Sequence, residues 1–99
     1  MPEVLLTLHC AEADTESIVD ALRSVTEAPL HIRAESVRGR DFGDAGPAEQ
    51  VTATLRRTAI ECIDEEDQID RMIAAVAAAR RRTSVRWHLT PISARGRIS

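Results

Sequence analysis

Apolar positions in this chain recur with two periods, and the order in which those periods follow one another predicts a fold. Val4, Leu6, Leu8 and Cys10 fall on one face of an extended segment over residues 4–10, the alternation of a half-buried strand. Ile18, Ala21, Leu22 and Val25 then recur at helical spacing, which gathers them into one apolar stripe. Asp14 precedes that stripe, and its carboxylate is suited to accept the free amide protons of a first helical turn. A helix is therefore expected from residue 14 to about residue 25, with Pro29 closing the turn. Residues 30–37 alternate again, setting Leu30, Ile32 and Ala34 against His31, Arg33 and Glu35.

The second half repeats this plan. Residues 51–63 read as a long third strand whose apolar parity changes midway, from Val51, Ala53 and Leu55 to Ile60 and Cys62. Two explanations are open: a β-bulge near Arg57, or a first half that packs against something other than the helices. Asp64 stands as the cap of a second helix, with Glu65, Glu66 and Asp67 where negative charge favours a helix start. Ile69, Met72, Ile73 and Val76 give its buried stripe, and Arg80, Arg81 and Arg82 fall in its expected last turn. Residues 85–92 form a fourth strand, with Val85, Trp87 and Leu89 apolar on one side and Pro91 marking an edge or a break. The prediction is an α+β, ferredoxin-like βαββαβ domain over residues 1–99, a four-stranded antiparallel sheet with two helices on one face. Residues 39–50, which hold three of the four glycines, link its halves.

Composition narrows the class. A 99-residue chain supports one core, and 43% hydrophobic with 29% charged residues describes a globular domain. A net charge of −3 argues against general attraction to nucleic acid. No run approaches the ~20 apolar residues of a membrane span, and the apolar start lacks the basic flank of a secretory signal. A cytoplasmic protein without direct membrane insertion is expected.

One sheet face carries the helices, so the other meets water, a ligand or another subunit. The alternation assigns Leu5, Thr7, His9, Arg33, Glu35, Glu61, Arg86 and His88 to it. RNA-binding sheets of this topology stack bases on aromatic side chains. Phe42 and Trp87 are the only aromatics of the chain, and neither falls on that face. The mixture of apolar and polar positions fits self-association better.

The residues able to hold a metal ion are His9, His31, His88, Cys10 and Cys62. An antiparallel pairing of strands one and four would bring His9 and His88 together on the open face. The cysteines form no C-x-x-C pair; both read as small core residues, separated by about six strand residues or roughly 20 Å. No nucleophile, base or acid recurs at a diagnostic catalytic spacing, so no enzymatic activity is expected.

Pro47-Ala48-Glu49-Gln50-Val51, followed by Arg56-Arg57, and the ending that runs from Pro91-Ile92 to Gly96-Arg97-Ile98 resemble a family of short, largely uncharacterised PII-like proteins. Members are often associated with heavy-metal efflux systems. Val37-Arg38-Gly39 and the stretch from Ile60-Glu61 to Ile69 also resemble the PII signalling proteins themselves. The resemblance implies a homotrimer, as in PII and CutA-like proteins, with open sheet faces packed around a central axis. It also implies a regulatory or sensor role with a membrane transporter as a potential partner. PII proteins hold nucleotide phosphates on a Gly-Asp-Gly-Lys turn before strand four; here that turn is Arg82-Thr83-Ser84-Val85-Arg86. The ligand expected first is a divalent or copper ion at His9 and His88. An anion such as a nucleotide comes second, held by Arg38, Gly39, Arg40, Arg86, Arg95 and Arg97. Phe42, Gly43, Glu49 and Gln50, in the segment 39–50, are the expected partner-facing residues.

Overall fold

A computed structural model describes residues 2–38 and 55–99. The alternation of the first segment produces β1 (Glu3–Ala11), which lies in the middle of the sheet. A 3-10 turn (Glu12–Asp14) leads into α1 (Thr15–Arg23), and β2 (His31–Val37) follows. The second half contributes β3 (Leu55–Glu65), a 3-10 turn (Glu66–Gln68), α2 (Ile69–Ala78) and β4 (Arg86–Pro91). The sheet order is β2-β3-β1-β4 and every neighbouring pair is antiparallel. This is the α+β, ferredoxin-like arrangement that the two periods predict.

Both helices turn their stripes onto the same side of the sheet. Ile18, Val19 and Leu22 of α1 and Ile69, Met72 and Val76 of α2 share one core with Val4, Leu6, Leu8, Cys10, Ile60 and Cys62. The register explains the match: Leu8 lies opposite Ile60 and Leu6 opposite Cys62, so like faces coincide across the two central strands. The helices cover those two strands and leave the edges bare. Ile32 on β2 and Trp87 on β4 belong to the same row as Ile60 and Leu8, yet they are 50% and 48% exposed. The large exposed apolar side chains thus sit mostly on the helix side of the edge strands. The open face, which the sequence pattern made half-apolar, has Val37 as its representative among them.

The pairing of β3 runs without interruption from Arg57 to Glu65 against β1 and from Leu55 to Glu61 against β2. No bulge is present among the described residues, so Leu55, Arg57 and Ala59 lie on the face opposite the helices, as the second explanation of the parity change requires. Residues 51–54, expected to begin this strand, lie outside the described residues.

Three local expectations are corrected by tertiary structure. Asp14 does not cap α1 with its side chain. Its buried carboxylate instead accepts the Arg82 amide at 3.0 Å, the Thr83 amide at 3.1 Å and the Thr83 hydroxyl at 3.1 Å. Asp64 is the penultimate residue of β3 rather than a cap; it accepts the Glu65 amide at 2.7 Å and the Thr26 hydroxyl at 2.6 Å. Helix α2 ends at Ala78, and Ala79 is already extended, which leaves Arg80–Arg82 in the connection to β4 rather than in a last turn. A buried carboxylate takes whichever donors fill its acceptor sites best, and donors distant in sequence win over the local turn here.

Asp14 therefore ties the start of α1 to the segment before β4. Asp14→Ala removes three hydrogen bonds and leaves two backbone donors unpaired, so it should lower stability by about 2–4 kcal/mol in urea denaturation. A loss below about 0.5 kcal/mol, the range of an ordinary surface substitution, would show that the clamp contributes little.

Candidate functional site

Alternation and register together assemble a polar network on the open face. Thr7 lies between Glu61 on β3 and His88 on β4, and the next row places His9 between Ala59 and Arg86. On the far side Arg33 stands opposite Ala59 and Glu35 opposite Arg57. Arg33 ion-pairs with Glu61, and the Thr7 hydroxyl donates to the other Glu61 oxygen at 2.9 Å. The Arg33 guanidinium, then the Thr7 hydroxyl, hold the Glu61 carboxyl below its ordinary value of 4.5.

His9 and His88 come together as the pairing of strands one and four predicts. Their ring centroids are 5.7 Å apart with planes 22° from parallel. His9 Nδ1 lies against Glu35 Oε1; an ionised carboxylate only accepts, so in a neutral ring the proton would sit on Nδ1 and the lone pair on Nε2. Imidazole lone pairs lie in the ring plane, so two near-parallel rings do not converge on an ion placed between them. Among the described residues, no group of three or more His, Cys, Asp or Glu side chains is placed to hold a metal ion. Two imidazoles alone are fewer than the ligands of an ordinary zinc site, and Glu35 is the neighbour that the sequence pattern did not pair with His9. Its signal was present, since Glu35 shares the open-face parity, but the diagonal contact depends on the register.

The arginines expected to form an anion site divide between the two ends of the sheet. Arg38 follows the end of β2, and Arg86 begins β4 at the same end. Arg95 lies at the other end, where its guanidinium donates to both oxygens of Glu3, at 3.0 and 2.6 Å. That bidentate pair lowers the Glu3 carboxyl and raises the Arg95 guanidinium. Arg97 is exposed in the C-terminal segment. Gly39, Arg40, Phe42, Gly43, Glu49 and Gln50 lie outside the described residues. The turn before β4 is already occupied: the Arg82 and Thr83 amides, which a phosphate-binding turn would offer to its ligand, donate to Asp14.

Cys10 and Cys62 are buried free thiols on the helix side. Cys62 lies opposite Leu6 rather than further along the sheet. The two are thus four strand positions apart instead of the expected six, about 13 Å at the usual rise, still beyond disulfide reach. Burial pushes the Cys62 thiol up to about 11 and also raises Cys10.

A protein-family model described as "Protein of unknown function (DUF3240)" matches residues 1–99. No curated protein matches the chain. Among solved structures, a DUF3240 family protein from Shewanella baltica is similar, with 19% identity, a TM-score of 0.79, and coverage of 100% of this chain and 99% of that one. A Bacillus cereus protein related to NIF3 is similar with 12% identity and a TM-score of 0.73; the match spans 97% of this chain but 26% of that one. At these identities the likeness is one of fold. No helix among the described residues is long and apolar enough to cross a membrane.

Two measurements follow from these environments. The Glu61 carboxyl sits lower in the folded chain than its ordinary value; its stabilising contribution is therefore present above about pH 4.5 and lost as pH falls through the folded value. In urea denaturation between pH 6 and 3, Glu61→Gln should lose stability less steeply than the unsubstituted chain, and equal slopes would remove Glu61 from the account. Neither thiol should react with a disulfide reagent at pH 7 until denaturant is added, because burial disfavours the reactive thiolate. Rapid modification of the folded chain would contradict the burial of both.

Proposed function

Because the chain belongs to the DUF3240 family, a family of unknown function, we propose its role from its own geometry: a non-catalytic regulatory module that binds a transition-metal ion through His9 and His88. It works in the cytoplasm as a homotrimer and passes its ligand state to a transport partner. The observation that carries this reading is the His9–His88 pair with Glu35 on His9 Nδ1. Metal-ligating imidazoles commonly donate their second nitrogen to a carboxylate, which orients the ring and raises its basicity. His9 has that support already, with Nε2 left as the ligand atom. Imidazole suits zinc, copper and nickel.

Two imidazoles fall short of the three or four protein ligands of an ordinary zinc site. The near-parallel rings do not converge on one ion between them, so the ion would lie outside the pair and symmetry copies of these imidazoles would supply the remainder, which makes assembly part of the site. The exposed Ile32, Trp87 and Leu89 on the two edge strands add apolar area for self-association. The non-catalytic reading is supported by buried, high-pKa thiols that make poor nucleophiles. The transport partner is supported by the resemblance to PII-like proteins associated with heavy-metal efflux. A nucleotide reading is less well supported, since Arg95 is engaged by Glu3 and the turn before β4 by Asp14.

Calorimetric titration with zinc and with copper, combined with mass measurement by light scattering, tests the proposal. Saturable binding at fewer than one ion per chain, by a trimer, is expected. His9→Ala with His88→Ala should abolish it, and Glu35→Gln should weaken it by about 10-fold. Binding unchanged in the double variant, or a monomer that binds no metal, would overturn the reading.

A further inference from the structure

Arg57 is a buried cation without a full set of partners. It lies on β3, facing away from the helices, and is 7% exposed. Nη1 donates to the Arg56 carbonyl at 3.0 Å. Nη2 is buried and has no hydrogen-bond partner. Leaving a guanidinium nitrogen in that state is costly, because the group has left water and recovered nothing in return. The counter-charge expected from register is Glu35, directly opposite on β2, but Glu35 is engaged by His9 on the other flank.

Beside Arg57 a cavity of about 240 Å³ opens, lined by Glu12, Ala34, Glu35, Ser36, Arg56 and Arg57. Its volume suits a compact ligand, since pockets for drug-sized molecules begin at about 300 Å³. The planar guanidinium fork matches two oxygens of a carboxylate or phosphate, and the Ser36 hydroxyl on the lining can donate to a further ligand oxygen.

We propose that this cavity is a binding site for a compact oxyanion, a phosphate or small carboxylate, held by Arg57; it is distinct from the metal site proposed above but shares Glu35 with it. Glu35 sets its strength. While its carboxylate serves His9, Arg57 lacks its internal counter-ion and attracts an external one. Removing the Glu35 charge removes the competitor altogether.

The test uses the full chain, free of metal, at constant ionic strength. Titration with inorganic phosphate, followed by amide NMR shifts and thermal stabilisation, should saturate, with the largest shifts on residues 34–36 and 56–57. Acetate in place of phosphate distinguishes a carboxylate site from a phosphate site. Arg57→Gln should lower the affinity at least 10-fold and Arg57→Lys by less, whereas Arg97→Gln should leave it unchanged. Glu35→Gln keeps Arg57 in place and should tighten binding at least 3-fold, a result that does not depend on whether the Arg57 variants fold. Absence of saturable binding by either anion would overturn the proposal and would mean that water alone fills the cavity. Unchanged or weaker binding in Glu35→Gln would also overturn it. Zinc titration of Arg57→Gln separates the two sites: loss of phosphate binding with zinc binding retained supports this one, and retained phosphate binding in that variant rejects it.

Discussion

The position of β1 constrains the rest of the molecule. It is paired on both flanks, with β3 along its whole length and with β4 along its middle, so its backbone polar groups are largely satisfied inside the sheet. What remains free to vary is the alternation of its side chains. Leu6, Leu8 and Cys10 are at most 1% exposed under the helices, while Thr7 and His9 face the other way. A slip of one residue would drive Thr7 and His9 into the helical core and expose three of its apolar residues. The register is therefore strongly specified, and with it the place of the open-face polar network. Thr7 reaches Glu61, and His9 reaches both His88 and Glu35, because the core on the opposite side leaves β1 no other registration.

That constraint explains what was legible in the sequence. The four strands, the two helices and the face occupied by His9, His88, Arg33, Glu35 and Glu61 all follow from periodicity, since burial imposes the period and every residue of an element reports on it. Features set by a single long-range partner were not legible. Asp14 and Asp64 look like helix caps by local pattern, and each instead holds donors brought to it by the tertiary fold. Arg80–Arg82 look like the end of a helix, but the helix stops at Ala78. The parity change in β3 was visible, but its cause depended on an unbroken register that no local pattern specifies. The candidate site was legible to the same depth: membership of the face was readable, and the His9–Glu35 contact, which crosses from β1 to β2 over β3, was not.

Glu35 has an unusual position within that network. Two cationic or potentially cationic groups compete for one carboxylate: His9, two strands away, and Arg57, directly across. An internal charge is most effective where water is scarce, and Arg57 is the more deeply buried of the two. Glu35 nevertheless pairs with His9. The outcome leaves a buried guanidinium nitrogen short of a partner and an imidazole held by a carboxylate, an arrangement that does not maximise stability. Perturbed and under-satisfied polar groups cluster at functional sites for this reason.

A comparable substitution occurs at the turn before β4, with the opposite result. Successive backbone amides that point in one direction attract an anion, and in a phosphate-binding turn that anion is the ligand. Here the Arg82 and Thr83 amides meet the Asp14 carboxylate, supplied from the end of the first strand–helix connection. The physics of anion capture is retained, but the anion is part of the chain and is buried at 3% exposure. A nucleotide phosphate would have to displace a carboxylate that also fastens α1 to the segment before β4, and it would lose the stability of that clamp in doing so. The same interaction that makes this turn a structural joint thus removes it as a ligand site. On the open face, by contrast, no internal carboxylate among the described residues fills the equivalent role, and Arg57 Nη2 is left buried without a hydrogen-bond partner.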